Sequence, residues 1–232
     1  MDTTTTAPRR PIVAERRRSG WRRFEPALPV LCAVVFALLA WQVARHGVVT
    51  SADLRVRDAL AGAAQDGVGR AALPWARRIC ALGNSDVAGP LLGAGALLAT
   101  VLRRSLRPLL VSALAAALLI ATVVPVKLTL GRAGPDDPWA RLDWYGYFPS
   151  GHTATALICY GTLVAVLFPV LGRLWRRVLT ALVTLVGVLV GVSLLYARYH
   201  WASDVVASFA LGALVLWSLF RLPRLVGLSG RS

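Results

Sequence analysis

Two histidines, an aspartate and a lone lysine are the residues in this chain whose types and spacing could do chemistry. His200 and Asp204 are four residues apart and share a face if the segment is helical. The carboxylate can then accept a hydrogen bond from one imidazole nitrogen, fix the tautomer and leave the other nitrogen as a nucleophile. The same spacing also suits a helix-capping Asp beside an interfacial His. Pro149-Ser150-Gly151-His152 lies directly before an apolar run. Ser150 and Gly151 there present backbone N–H groups at a helix N-terminus, a natural anion site. His152 beside that anion can protonate a leaving oxygen; the alternative is an ordinary helix start. Lys127 is the single lysine among 26 basic residues. Arg132 follows it in the turn Gly131-Arg132-Ala133-Gly134-Pro135, and two cations flanking a turn can clamp phosphate oxygens. Otherwise Lys127 reads as a side chain snorkelling to the membrane edge. Together the inventory suits phosphate transfer through a histidine.

The elements that must position these groups are apolar helices. The chain has 232 residues, a formal charge of +15 and a 56% apolar fraction, with a mean hydropathy of +0.61. That is the composition of a membrane protein. Apolar runs at Leu28–Ala44, Val87–Leu102, Leu109–Val126, Thr153–Leu171, Val178–Tyr196 and Val205–Phe220 each approach the roughly 20 residues that cross a bilayer. Only helices satisfy their own backbone in lipid at this length, so the expected fold is an all-α, polytopic bundle of six transmembrane helices.

The arginines fall in short clusters between the runs: the N-terminal tail, Arg103/Arg104/Arg107, Arg173/Arg176/Arg177 and the residues after Phe220. This is a topology signal rather than a nucleic-acid surface. With six spans all four clusters share one side, which the positive-inside rule makes cytoplasmic. The expected organisation is a basic, disordered cytoplasmic tail over residues 1–26, a membrane domain over 27–222 and a short cytoplasmic tail over 223–232. Both termini then lie in the cytoplasm of a cell-membrane protein. Ala52–Ala72 is too polar to span and reads as a surface helix or a plain connector. Cys32, Cys80 and Cys159 show no metal or disulfide spacing, so no metal and no cofactor are expected.

In this topology Lys127, His152, His200 and Asp204 all lie at the outward ends of helices, as one extracytoplasmic active site requires. The three strings Lys127–Pro135, Pro149–His152 and Ser193–Asp204 resemble, in order and spacing, the three-part signature of the type 2 phosphatidic acid phosphatase superfamily: K-x6-R-P, P-S-G-H and S-R-x5-H-x3-D. The resemblance implies a membrane phosphatase acting on a lipid phosphate or prenyl diphosphate without a metal. It implies that His200 attacks phosphorus, Asp204 orients it, His152 acts as general acid, and Lys127, Ser150 and Gly151 hold phosphate oxygens. Its partners are the lipid phosphate substrate and membrane lipids.

The chain departs from that signature twice. Gly134 stands where the family has the Arg before Pro135, and Leu194 where it has the Arg after Ser193. Arg132 and Arg198, both within the motifs, are the expected replacements. The intervening Asp136–Phe148 loop carries Trp139, Trp144, Tyr145, Tyr147 and Phe148, either a cover for the site or an aromatic belt. Asp136 and Asp137 are expected to pair with Arg132 when substrate is absent. Two other functions share this inventory: phosphotransfer to an alcohol through the same histidines, and a catalytically weak lipid-binding protein.

Overall fold

In the computed structural model, residues 27–138 and 145–225 are described, with side chains through residue 221. The expected tail over 1–26, the end of the C-terminal tail, and Trp139 and Trp144 lie outside the described residues. Among the described residues every regular element is helical: α1 Ala27–Ala44, α2 Val48–Ala63, α3 Gly67–Cys80, α4 Ser85–Arg103 and α5 Arg107–Leu130. After the loop come α6 Gly151–Val170, α7 Arg173–Tyr196 and α8 Ala202–Leu225. Helices α1 and α4 to α8 are the six that are long and apolar enough to cross a membrane.

Burial separates these six into two roles. Of the α6 span 61% is buried inside the protein, and of the α8 span 56%, against 11% for α1. So α6 and α8 form the centre, and the others turn large apolar side chains outward. Leu31 and Val34 on α1, Leu97 and Leu98 on α4, and Leu185 and Val192 on α7 are exposed. In water such a surface would aggregate; in lipid it is matched to its solvent. Without a hydrophobic drive between helices, close backbone approach does the work. At Gly187 on α7 a Cβ would meet a Leu157 methyl on α6 at 2.6 Å, so a larger residue would push the two helices apart.

The helices overrun the apolar runs at the ends where the motifs sit. Lys127 lies one turn inside α5, which continues to Leu130 and ends on Gly131 in the left-handed region (φ 49°). The stretch over Ala52–Ala72, expected as a surface helix or a plain connector, is part of two helices, α2 and α3, broken between Ala63 and Gly67. Gly62, Gly67 and Gly69 cluster there, and glycine disfavours a continuous helix by up to about 1 kcal/mol each. Helix α8 also continues past 222 to Leu225. Within α6, Ala156–Tyr160 forms a wide π turn, a feature that often marks functional sites. Tyr160 Oη there donates to the Leu82 carbonyl at 2.6 Å, tying α6 to the joint between α3 and α4.

Candidate active site

The polar motifs converge at one end of the bundle. A cavity of about 430 Å³ opens there, lined by Lys127 from α5, Gly151, His152 and Thr155 from α6, and His200 from the α7–α8 turn. Asn84, Ser85 and Asp86 at the start of α4 form part of its polar wall. Leu119, Ile120, Val123 and Val124 on α5 supply an apolar wall. The His152 and His200 rings face each other edge-on with centroids 6.2 Å apart. That is a ring-to-ring contact distance, and both rings line the same cavity, so one group bound there can reach both imidazoles.

His200 is positioned by the way α7 ends. Ala197, Arg198 and Tyr199 donate their N–H groups back to the Ser193, Leu195 and Leu194 carbonyls, and Arg198 adopts a left-handed φ of 60°. The chain turns there and carries His200 inward, where it is 8% exposed. Asp204, in the first turn of α8, is fully buried. Its Oδ2 lies 3.1 Å from His200 Nδ1 and accepts the Trp201 N–H at 3.1 Å. A carboxylate only accepts, so Nδ1 carries the proton and Nε2 keeps its lone pair. Burial is the largest influence on His200 and holds its pKa below the ordinary 6.5, against the hydrogen bond with Asp204, which raises it. The imidazole is therefore neutral near pH 7, as a nucleophile must be.

His152 is fixed by the start of α6. Ser150 caps that helix, its Oγ accepting from the Thr153 N–H at 3.3 Å. The cap is bound to α8 twice: Ser150 N–H donates to the Asp204 carbonyl at 3.2 Å, and Ser208 Oγ donates to the Ser150 carbonyl at 2.9 Å. The backbone carrying one histidine is thus tied to the helix carrying the partner of the other. The expected role of Ser150 changes accordingly. It is fully buried and its N–H already has an acceptor, whereas Gly151 lines the cavity.

Lys127 does not snorkel. It is 5% exposed, and its Nζ donates to the carbonyls of Gly146 at 2.8 Å and Tyr147 at 3.2 Å. Tyr145 stacks over the ammonium at 4.9 Å. Lys127 thereby holds down the loop that precedes α6.

The two expected replacement arginines are used otherwise. Arg132 is almost buried and grips carboxylates: Nη2 binds Asp53 Oδ2 at 2.6 Å, and Nη1 binds Asp204 Oδ1. It binds the Asp204 oxygen that His200 does not use and is not among the residues that line the cavity. Arg198 pairs at the surface with Asp136, 2.9 Å away. Asp136 therefore meets Arg198 rather than Arg132. The physical reason is charge compensation: two buried carboxylates need a buried cation more than an open cavity does. The two positions vacated by family arginines are also filled. A Cβ at Gly134 would meet the Tyr147 ring at 2.6 Å. Leu194 is fully buried with Cys80, Ala156 and Val190.

Three contributors escaped the motif reading. Asp53 on α2 is 3% exposed; it accepts the Ser203 N–H at 2.9 Å as well as Arg132. Its readable signal was position, because it shares a helical face with Val56 and Leu60. Asp86, in the first turn of α4, enters the cavity wall from outside the three motifs. Tyr147 packs edge-on against His200 at 5.6 Å, and nothing in its spacing marked it. Among the described residues no group of three or more metal-ligating side chains is present.

Comparison with known proteins agrees with this architecture. The crystal structure of "the first transmembrane PAP2 type phosphatidylglycerolphosphate phosphatase from Bacillus subtilis" superposes with a TM-score of 0.71 and 25% sequence identity, over 88% of this chain and 98% of that one. Among curated protein sequences none matches this chain. A family model described as the PAP2 superfamily matches residues 107–227, more than half of the chain and all of the helices that carry Lys127, His152, His200 and Asp204. With six membrane-crossing helices and that match, the chain is a multi-pass membrane protein that belongs to the PAP2 superfamily.

Proposed function

We propose that the protein hydrolyses a lipid phosphate through a phosphohistidine at His200, at the extracytoplasmic face of the cell membrane. The observation that carries this reading is the pair of histidines lining one cavity. His200 has Nδ1 held by Asp204, and His152 lies edge-on beside it, with Lys127 in the same lining. Nε2 of His200 attacks phosphorus, forming an N–P bond as the P–O bond to the lipid alcohol breaks. His152 gives its proton to the departing oxygen. Water then gives a proton back to His152 as its oxygen attacks phosphorus, the N–P bond breaks and inorganic phosphate leaves. Lys127 and the Gly151 end of α6 hold the phosphate oxygens. The family match and the phosphatase named above support the lipid phosphate class. The apolar α5 wall suits an acyl or prenyl chain while the headgroup stays at the polar end. The arginine clusters at Arg103–Arg107 and Arg173–Arg177 lie at the opposite end of the bundle from the cavity, which supports the extracytoplasmic placement.

The test is phosphate release by purified protein from a panel of lipid phosphates and prenyl diphosphates, in EDTA, beside His200→Ala. Release by the wild type alone supports the reading. Equal release by His200→Ala refutes the nucleophile, and loss of wild-type activity in EDTA refutes metal independence. Adding an alcohol acceptor separates hydrolysis from phosphotransfer.

A further inference from the structure

Asp53 lies on α2, outside the segment that matches the family, yet it closes a buried chain of contacts that ends on His200. Arg132 bridges two carboxylates, with Nη2 on Asp53 and Nη1 on Asp204. Ser203 completes the ring: it accepts from Arg132 Nη1 at 2.7 Å, and its Oγ and N–H both donate to Asp53. Trp201 covers the guanidinium at 5.2 Å and donates its indole N–H to the Ala133 carbonyl at 2.8 Å. Asp53 and Asp204 are 3% and 0% exposed, so water screens these charges little.

We propose that Asp53 is a positioning residue for the His200 reaction, acting through Arg132 and Ser203 on Asp204. This rests on the phosphohistidine reading above. Two physical effects combine. A planar guanidinium held at one edge only can pivot, and the Asp53 contact fixes the edge that meets Asp204 Oδ1. Oδ2 is thereby reserved for His200 and the Trp201 N–H. The second effect is charge. As His200 attacks phosphorus its ring becomes cationic, and an ionised carboxylate behind it stabilises that charge. Arg132 alone would cancel Asp204; Asp53 returns the cluster to a net negative charge. Arg132 thus supplies geometry without removing the field.

The experiment compares wild type, Asp53→Asn, Ser203→Ala and Asp58→Asn, the last being an exposed carboxylate on the same helix. Turnover is measured on dioleoyl phosphatidate in detergent micelles, and the His200 tautomer by nitrogen-15 NMR of histidine-labelled protein. The expected result for Asp53→Asn is a fall in kcat of about 10- to 100-fold, the range seen when the partner orienting an imidazole is lost. KM should stay within about threefold, because the lost interaction is made in the transition state. Asp58→Asn should match the wild type. Wild-type kcat in folded Asp53→Asn overturns the proposal, even where its melting temperature falls. If Asp53→Asn does not fold, Ser203→Ala takes its place under the same criteria; loss of the fold in both assigns Asp53 to stability alone and overturns the proposal. If the wild type releases no phosphate, hydrolysis of phosphatidate fails separately and the imidazole decides alone. Mixing of the two neutral tautomers in Asp53→Asn supports positioning, and an unaltered Nδ1–H state overturns it.

Discussion

The Tyr147 ring occupies the space that a side chain at Gly134 would need, with a Cβ there falling 2.6 Å from the ring. The same ring packs against His200. A side chain at position 134 and the Tyr147–His200 contact therefore compete for one space. Gly134→Arg should displace Tyr147, cost roughly 1–3 kcal/mol of stability through overpacking, and lower turnover. Gly134→Arg combined with Tyr147→Ala should recover the stability. Thermal melts of the single and double variants check this; additive losses would contradict it.

Arg132 and Arg198 should separate sharply. Arg132→Ala leaves two buried carboxylates without their cation, a change worth about 3–5 kcal/mol. Arg132→Lys should rescue little, because an ammonium lacks the fork that spans both acids. Arg198→Ala removes a surface pair worth up to about 1 kcal/mol and should keep turnover near wild type. Denaturation midpoints and initial rates of the three variants decide.

The second vacated position behaves differently from the first. Leu194 is fully buried in an apolar cluster, so Leu194→Arg buries an unpaired charge. It should cost on the order of 4 kcal/mol or more and restore no activity. Expression and melting temperature in detergent read the outcome.

The pH dependence follows from His200. Its pKa is held below 6.5 chiefly by burial, so the His200 imidazole stays predominantly neutral as pH falls from 7.5 to 6.5. The acid limb of kcat/KM assigned to His200 should lie below 6.5. The sign for stability is the same. The unfolded chain takes up the proton first, so the stabilisation from a neutral His200 is complete above 6.5 and is lost as pH falls further. His200→Gln should flatten the fall in melting temperature below that pH; an equally steep fall would contradict the assignment.

Much of the fold and the motif chemistry was legible because both rest on composition and short spacing. Apolar runs announced the six spans, and the motifs named the histidines that meet at the cavity. What escaped depends on long-range contacts. Asp53 looks like Asp58 and Asp66 in sequence, and only the packing of α2 against the α7–α8 turn singles it out. The reading of Arg132 and Arg198 as replacement arginines counted residues along the motif. It did not count the buried acids, Asp53 and Asp204, that Arg132 bridges. Helix ends were also short in the sequence reading, since polar motif residues such as Lys127 and His152 interrupt an apolar run without interrupting the helix.

An ammonium has three N–H bonds to give, and Lys127 directs two of them at the Gly146 and Tyr147 carbonyls. Its charge reaches the cavity, but its aim is set by the chain's own loop before any ligand arrives. At most one N–H remains for an incoming anion, beside the Tyr145 ring that covers the ammonium, on a side chain that has little swing. An acidic ligand seeking more than that single bond must compete with the loop for the same nitrogen. The tightness with which residues 145–147 are held down then becomes a dial on how strongly the site grips its anion.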